Sequence, residues 1–152
     1  MAGKAPVLEL KKLKDLKGVV ISASWHPEIC QALTDGAVRG FTESGISKIE
    51  IRKVAGSFEL PLAAQLALDS GFDVAVVVGL VLRGETPHFD YVCQGVTQGV
   101  MDVSLSRSKP IGFGVLMCDN LEQATARAGL PGSKEDKGYD SALAALSVLN
   151  KG

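Results

Sequence analysis

The stretch that most constrains the fold is Val74 to Tyr91, VAVVVGLVLRGETPHFDY. Its first nine residues form an apolar, valine-rich run with no polar alternation. An edge strand shows one face to water and alternates. A strand covered by helices on both faces does not, so this run reads as a central strand of a parallel sheet. Arg83-Gly84-Glu85-Thr86 then reads as a loop, and Pro87 opens a helical pattern. Thr86 suits the N-cap, because its oxygen can accept from a first-turn N–H, and Pro87 suits the first helical position, because it has no N–H to lose. The helix is therefore expected to start at Pro87. That places His88 and Phe89 in the first turn, beside free N–H groups and the positive end of the helix dipole, where an anion binds.

The rest of the chain repeats this strand-loop-helix theme. Residues 1–16 read as a flexible arm with a short strand at Val7–Leu10 that could extend a neighbouring subunit's sheet, and residues 17–152 read as one domain. Gly18–Ser24 is a strand ended by Trp25-His26-Pro27. Ile29, Ala32, Leu33, Gly36, Ala37, Gly40 and Phe41 then recur at helical spacing up to Gly45. Ser47–Val54 alternates and reads as an outer strand. Leu60–Leu68 is a helix that tolerates Pro61 in its first turn and ends at Gly71. Phe89, Val92, Cys93, Val96, Val100 and Val103 trace the helix after the central strand, to about Ser106, and Pro110–Met117 is a fourth strand. Asn120 to Gln123 and Ser133 to Asp136 both have the form of a capping box, so a helix is expected to begin at each. Strands alternating with helices through short loops imply a parallel sheet covered on both faces by right-handed crossovers.

At 152 residues, with 46% apolar and 22% charged residues, the chain can bury a core as one globular domain. A formal net charge of −1 gives no broad pull towards nucleic acid. The lysines near the N-terminus precede no apolar signal region, and the Val74 run is too short to span a bilayer, so a cytoplasmic protein without membrane contact is expected. Cys30, Cys93 and Cys118 are odd in number and widely spaced, which fits reduced, mostly buried thiols. With only His26 and His88 to join them, no metal-ligand spacing arises, and no metal is expected.

Ligands of such sheets bind outside the carboxyl ends of the strands, at the point where strand order reverses. The candidate loops are therefore Trp25-His26, Gly56–Glu59, Gly84–His88 and Met117–Asn120. Gly79 and Gly84 have the separation of a P-loop, but Glu85 stands where that loop needs lysine, and no G-x-G-x-x-G occurs. What remains is a small glycine loop that could hold one phosphate with Thr86. His88 is the best general acid/base candidate, since histidine titrates near neutrality; the alternative is an ordinary surface histidine. Trp25 could stack on a flat heterocycle, although a lone tryptophan more often packs against core or rim. Arg127 and Lys137 could each serve a phosphate or simply solvate a helix face.

Gly56-Ser57-Phe58-Glu59-Leu60-Pro61, Arg83-Gly84-Glu85-Thr86-Pro87-His88-Phe89-Asp90-Tyr91-Val92, Gly114-Val115-Leu116, Glu122-Gln123-Ala124, Arg127-Ala128-Gly129 and Lys137-Gly138 together resemble the lumazine synthase family. Order and spacing agree from about Gly18 onward. The resemblance implies a flavodoxin-like three-layer α/β/α sandwich with a parallel four-stranded sheet in the order 2-1-3-4, assembled as homopentamers and sometimes as twelve pentamers in an icosahedral shell. It implies a transferase of riboflavin biosynthesis that joins two small-molecule substrates, 5-amino-6-(ribitylamino)uracil and 3,4-dihydroxy-2-butanone 4-phosphate. No cofactor is needed, and the enzyme can associate with riboflavin synthase. By matching position, Trp25 would stack on the pyrimidine, and Ser57, Phe58, Glu59, Leu80, Val81 and Leu82 would hold the pyrimidine and ribityl chain. Gly84, Glu85, Thr86 and Arg127 would bind phosphate, and His88 would transfer protons. Phe113 and Lys137 match substrate-contacting positions that the neighbouring subunit supplies, as does Arg127. Two positions depart from the common pattern: Trp25-His26 stands where many members have Phe-Asn, and Ala55 where a proline is common. A flavodoxin-like module that binds flavin or lumazine without turnover is the alternative reading.

Overall fold

The valine run occupies the centre of the sheet. In the computed structural model, which describes residues 3–13 and 15–149, Val74–Leu80 are buried and only Val81 and Leu82 emerge partly at the carboxyl edge. Strands β1 (Lys17–Ala23), β2 (Lys48–Val54), β3 (Val74–Leu82) and β4 (Ile111–Cys118) pair in parallel in the order β2-β1-β3-β4. Val20 lies opposite Ile51 on one side and Val76 on the other, and Val78 lies opposite Gly114. Helix α1 (Pro27–Glu43) follows β1, α2 (Leu60–Asp69) follows β2 through a 3₁₀ turn at Ser57–Glu59, and α3 (His88–Arg107) follows β3. The short α4 (Leu121–Thr125) and α5 (Lys137–Leu149) complete the chain.

Because strand side chains alternate between faces, β3 feeds two cores. Val74, Val76, Val78 and Leu80 pack with Leu33, Ala37 and Phe41 of α1 and with Ala142 and Leu146 of α5. Ala75 and Val77 pack with Leu60, Ala64 and Leu68 of α2 and with Val96 and Val100 of α3. Each fully buried valine contributes about 1.5–3 kcal/mol, so the strand that the sequence marks most strongly also anchors both layers. The result is the three-layer α/β/α, flavodoxin-like sandwich. β2 lies at the edge, where exposed and half-buried residues mix and Ile51 is half exposed in spite of the alternating sequence.

Helix ends follow their glycines. Gly45 has φ 97, and behind it the Ile46 N–H donates to the Phe41 carbonyl (3.0 Å) while its own N–H donates to Thr42 (3.1 Å), closing α1 in a left-handed cap. At α5, Gly138 permits the closest approach in the fold: a Cβ there would stand 2.0 Å from the Leu33 carbonyl oxygen of α1.

Three expectations differ from the structure. Val7–Leu10 forms no strand; the segment runs as irregular chain, with Leu10 and Leu13 packed against the α1 side of the core and the Leu13 N–H donating to Ser44 (2.9 Å). Tertiary packing there takes the place of strand pairing within the chain. α3 begins at His88 with Pro87 as its cap residue, one residue later than expected. Thr86 Oγ1 accepts from the His88 N–H at a long 3.4 Å, because the 84–87 loop stays open at its tip. Ser133 starts no helix. Its hydroxyl accepts from the Leu130 N–H (2.9 Å) and donates to the Thr125 carbonyl, so it ties the loop, and α5 begins four residues on at Lys137. The first box holds, with Asn120 Oδ1 accepting from Gln123 N–H (2.9 Å), although the Gln123 side chain reaches past Asn120 to the Asp119 N–H (2.7 Å).

Gly138→Ala forces α1 and α5 apart at a backbone contact that no rotamer change relieves, so it should lower stability by about 3 kcal/mol. The urea midpoint measures this; a loss below about 1 kcal/mol would show that the two helices separate freely.

Candidate active site

The chain leaves β1 outward for β2 and returns to β3 on the other side of β1, so the carboxyl ends of β1 and β3 face a common crevice. A cavity of about 660 Å³ opens there. Trp25 and His26 reach it from the end of β1, Gly56–Glu59 from the turn after β2, and Leu80, Val81 and Leu82 from the end of β3. His88, Tyr91 and Val92 reach it from the first turns of α3.

The indole of Trp25 is 67% exposed, an apolar face turned to the crevice rather than to the core. Its backbone is fixed from below: the Cys30 thiol donates to the Trp25 carbonyl (3.0 Å), and His26 takes left-handed dihedrals (φ 53, ψ 67) directly before Pro27. A non-glycine residue in that region is strained and is held there by its surroundings, here by α1, whose Cys30 N–H donates to the His26 carbonyl (3.1 Å). Glu59 Oε1 accepts from the Gly56 N–H (3.0 Å), which locks the carboxylate at the rim of the turn. Ser57 Oγ is buried and makes no hydrogen bond among the described residues. It sits against β3 where a Cβ on Gly79 would stand 2.6 Å away, so the glycine in the valine run makes room for this hydroxyl.

His88 is exposed at the first position of α3, and the exposed Gly84-Glu85-Thr86 loop leads into it. Arg83 fixes the stem of that loop. Its Nε donates to Asp119 Oδ1 (2.8 Å), its Nη1 lies 3.7 Å from Asp90, and its guanidinium stacks 4.4 Å from the Phe89 ring centroid. The hydrogen bond from Arg83 holds the Asp119 carboxyl below its ordinary range. Burial pushes all three cysteine thiols up, so none is poised as a thiolate nucleophile. Cys30 and Cys118 are buried and Cys93 is half-buried.

The site residues read from sequence fall into two groups. Trp25, Ser57, Phe58, Glu59, Leu80, Val81, Leu82 and His88 surround the cavity, and Gly84, Glu85 and Thr86 form the loop beside it. Phe113, Arg127 and Lys137 lie elsewhere. Phe113 is part-exposed on the edge strand β4. Arg127 donates to the Gln123 carbonyl (2.9 Å) and pairs with Glu135 (3.4 Å), which also pairs with Lys137 (3.3 Å). His26 and Gly56, which belong to the candidate loops, also line the cavity, and Tyr91 and Val92 join the lining without having been assigned to it. For Tyr91 and Val92 the signal is helical spacing, since positions three and four beyond His88 share its face.

Fold and site together define a flavodoxin-like α/β protein with a ligand crevice at its topological switch point. Residues 15–151 match the family model described as 6,7-dimethyl-8-ribityllumazine synthase. Proteins of that name from Streptomyces coelicolor (49% identical, 97% of this chain and 92% of the relative), Paenarthrobacter aurescens (50%, 95% and 92%) and Renibacterium salmoninarum (50%, 95% and 94%) are similar over nearly their whole lengths. The chain belongs to the 6,7-dimethyl-8-ribityllumazine synthase family.

A folded-state carboxyl held below its ordinary value contributes stability that is present above the unfolded value, about 3.9 for Asp, and is lost as pH falls through the folded one. Arg83→Ala should therefore lower the urea midpoint by a constant amount from pH 5 to 8, and the deficit should narrow only below about pH 4. A deficit already gone at pH 5 would detach Asp119 from this latch.

Proposed function

We propose that the chain condenses 5-amino-6-(ribitylamino)uracil with 3,4-dihydroxy-2-butanone 4-phosphate to 6,7-dimethyl-8-ribityllumazine, phosphate and water, in the cytoplasm, as a step of riboflavin biosynthesis. The observation that carries this reading is the crevice, where one aromatic face, one fixed carboxylate and one helix-start histidine meet around a single cavity. Trp25 stacks on the pyrimidine, Leu80–Leu82 form the wall behind it, and Ser57, Phe58 and Glu59 hold its polar edge and the ribityl chain. The buried hydroxyl of Ser57, without a partner among the described residues, supports that role. Gly84, Glu85 and Thr86 receive the phosphate of the second substrate.

The uracil's amine attacks the ketone, water leaves to give an imine, phosphate is eliminated, and the ribityl-bearing nitrogen adds to the remaining carbonyl and closes the ring with loss of a second water. Each step moves a proton near the phosphate loop, where His88 serves as acid and base. Co-binding of the two substrates supplies much of the remaining acceleration, and no cofactor takes part.

The separation of Phe113, Arg127 and Lys137 from the crevice supports a site completed by a second copy of the chain. Leu62 and Leu66 on α2, and Met101 and Leu105 on α3, are more than half exposed at i,i+4 spacing, giving each helix an apolar outer stripe suited to burial against another subunit. We read the assembly as a homopentamer, alone or as sixty subunits in a shell able to associate with riboflavin synthase, with a strand of the N-terminal arm added to a neighbour's sheet. Arg127 of one subunit then grips the phosphate held by Thr86 of the next.

Turnover tests the reading directly: lumazine formation from the two substrates, followed by absorbance, distinguishes an enzyme from a module that only binds the product. His88→Ala should lower kcat by about 10²-fold; unchanged kcat from pH 6 to 8 would remove His88 from the mechanism. Refolding His88→Ala and Arg127→Ala subunits together one-to-one should restore about a quarter of the sites in a closed ring of shared interfaces. No recovery in properly assembled mixtures would place each site within one chain.

A further inference from the structure

The cations that the crevice lacks are already occupied. Glu135 Oε2 lies 3.4 Å from Arg127 Nε, and Oε1 lies 3.3 Å from Lys137 Nζ, so each oxygen of one carboxylate faces one of the two cations. The fold does not need this arrangement, because main-chain bonds, together with the Ser133 hydroxyl, hold the segment. The Glu135 N–H donates to the Ala126 carbonyl (3.0 Å), the Gly129 N–H to the Glu135 carbonyl (3.0 Å) and the Lys137 N–H to the Arg127 carbonyl (3.0 Å), with Ala128 and Asp136 bridged in antiparallel fashion. The cations are placed independently as well: Arg127 Nη1 donates to the Gln123 carbonyl (2.9 Å), and Lys137 is the first residue of α5. The neighbouring carboxylate, Asp136, is committed to Arg39. The Glu135 side chain, 22% exposed, is therefore spent on charge.

We propose that Glu135 is a built-in counter-ion for the anion cradle of Arg127 and Lys137, a carboxylate that a phosphate ester must displace, and that it thereby sets the cradle's affinity for phosphate. The inference rests on the reading of Arg127 as a phosphate ligand. A phosphate dianion offers both cations the same kind of oxygen at higher charge, so it wins the exchange, but only after the existing pairs are broken. The carboxylate keeps two positive charges neutral between turnovers and weakens the hold on the phosphate product, which has to leave before the next cycle. Glu135 is a positioning and charge-setting residue; it does not touch the reacting atoms.

A residue needed only for structure loosens the cradle when replaced, whereas a competing counter-ion tightens it, so the sign of the effect decides. Inorganic phosphate, used as an inhibitor competitive with the butanone phosphate on the assembled enzyme, provides the readout. Glu135→Gln should lower its inhibition constant by about two- to fivefold, the range of a partly exposed ion pair. KM for the butanone phosphate should fall with it, and KM for the uracil substrate should stay unchanged. Glu135→Ala, which keeps the same main-chain bonds, should shift the constant in the same direction. Unchanged or weaker phosphate inhibition in both variants overturns the proposal. Arg127→Ala separates the two readings. If it leaves phosphate inhibition intact, Arg127 is not a phosphate ligand and both fail; if it weakens inhibition while the Glu135 variants do not tighten it, the counter-ion role alone fails.

Discussion

Two-sided burial of β3 requires helices on both faces, and in a parallel sheet the connections supply them. α1 and α5 cover one face and α2 and α3 the other, so the chain must pass outward to β2, return across β1 and continue to β4. That return path creates the switch point, and the switch point creates the crevice. The glycine that interrupts the valine run, Gly79, lies where the sheet reaches this crevice and gives Ser57 its place. Core and site are thus two ends of one strand: its first seven residues are buried for packing, and its last two emerge into the ligand cavity.

Residues whose local environment is set by their own segment were legible in the sequence. The β3 boundaries follow directly from the absence of polar alternation, the α1 terminus from Gly45, and the placement of Trp25, Glu59 and His88 at strand ends from topology alone. Local signals misled where a distant partner decided the outcome. Ser133 carries a good capping pattern, yet Leu130 and Thr125 capture its hydroxyl from across the loop. Val7–Leu10 has strand composition but pairs with no strand of the described residues, and Leu10 packs against the α1 side of the core. The geometry under Trp25, in which a thiol bonds a carbonyl and His26 takes a left-handed turn before proline, has no sequence signature short of the fold itself.

The division of the site residues follows from the same topology. Everything at the β1 and β3 ends converges because those strands are adjacent, whereas Arg127 and Lys137 follow β4 through a loop and a short helix that carry them away from the crevice. The resemblance to the family sets Phe113, Arg127 and Lys137 apart as positions that a neighbouring subunit supplies. Within one chain the geometry divides the residues along the same line: eight line one cavity, and the cationic pair turns to Glu135 instead.

The segment from Ala126 to Lys137 is fastened by peptide groups, by the Ser133 hydroxyl and by the Asp136–Arg39 pair, which leaves the Glu135 side chain almost free of folding duties. Such a segment can drift in evolution, or be altered by an engineer, through changes of charge that leave the backbone where it is. Affinity for an anion can then be retuned by single substitutions at a rim position, while the valine strand and the two cores beneath it stay untouched.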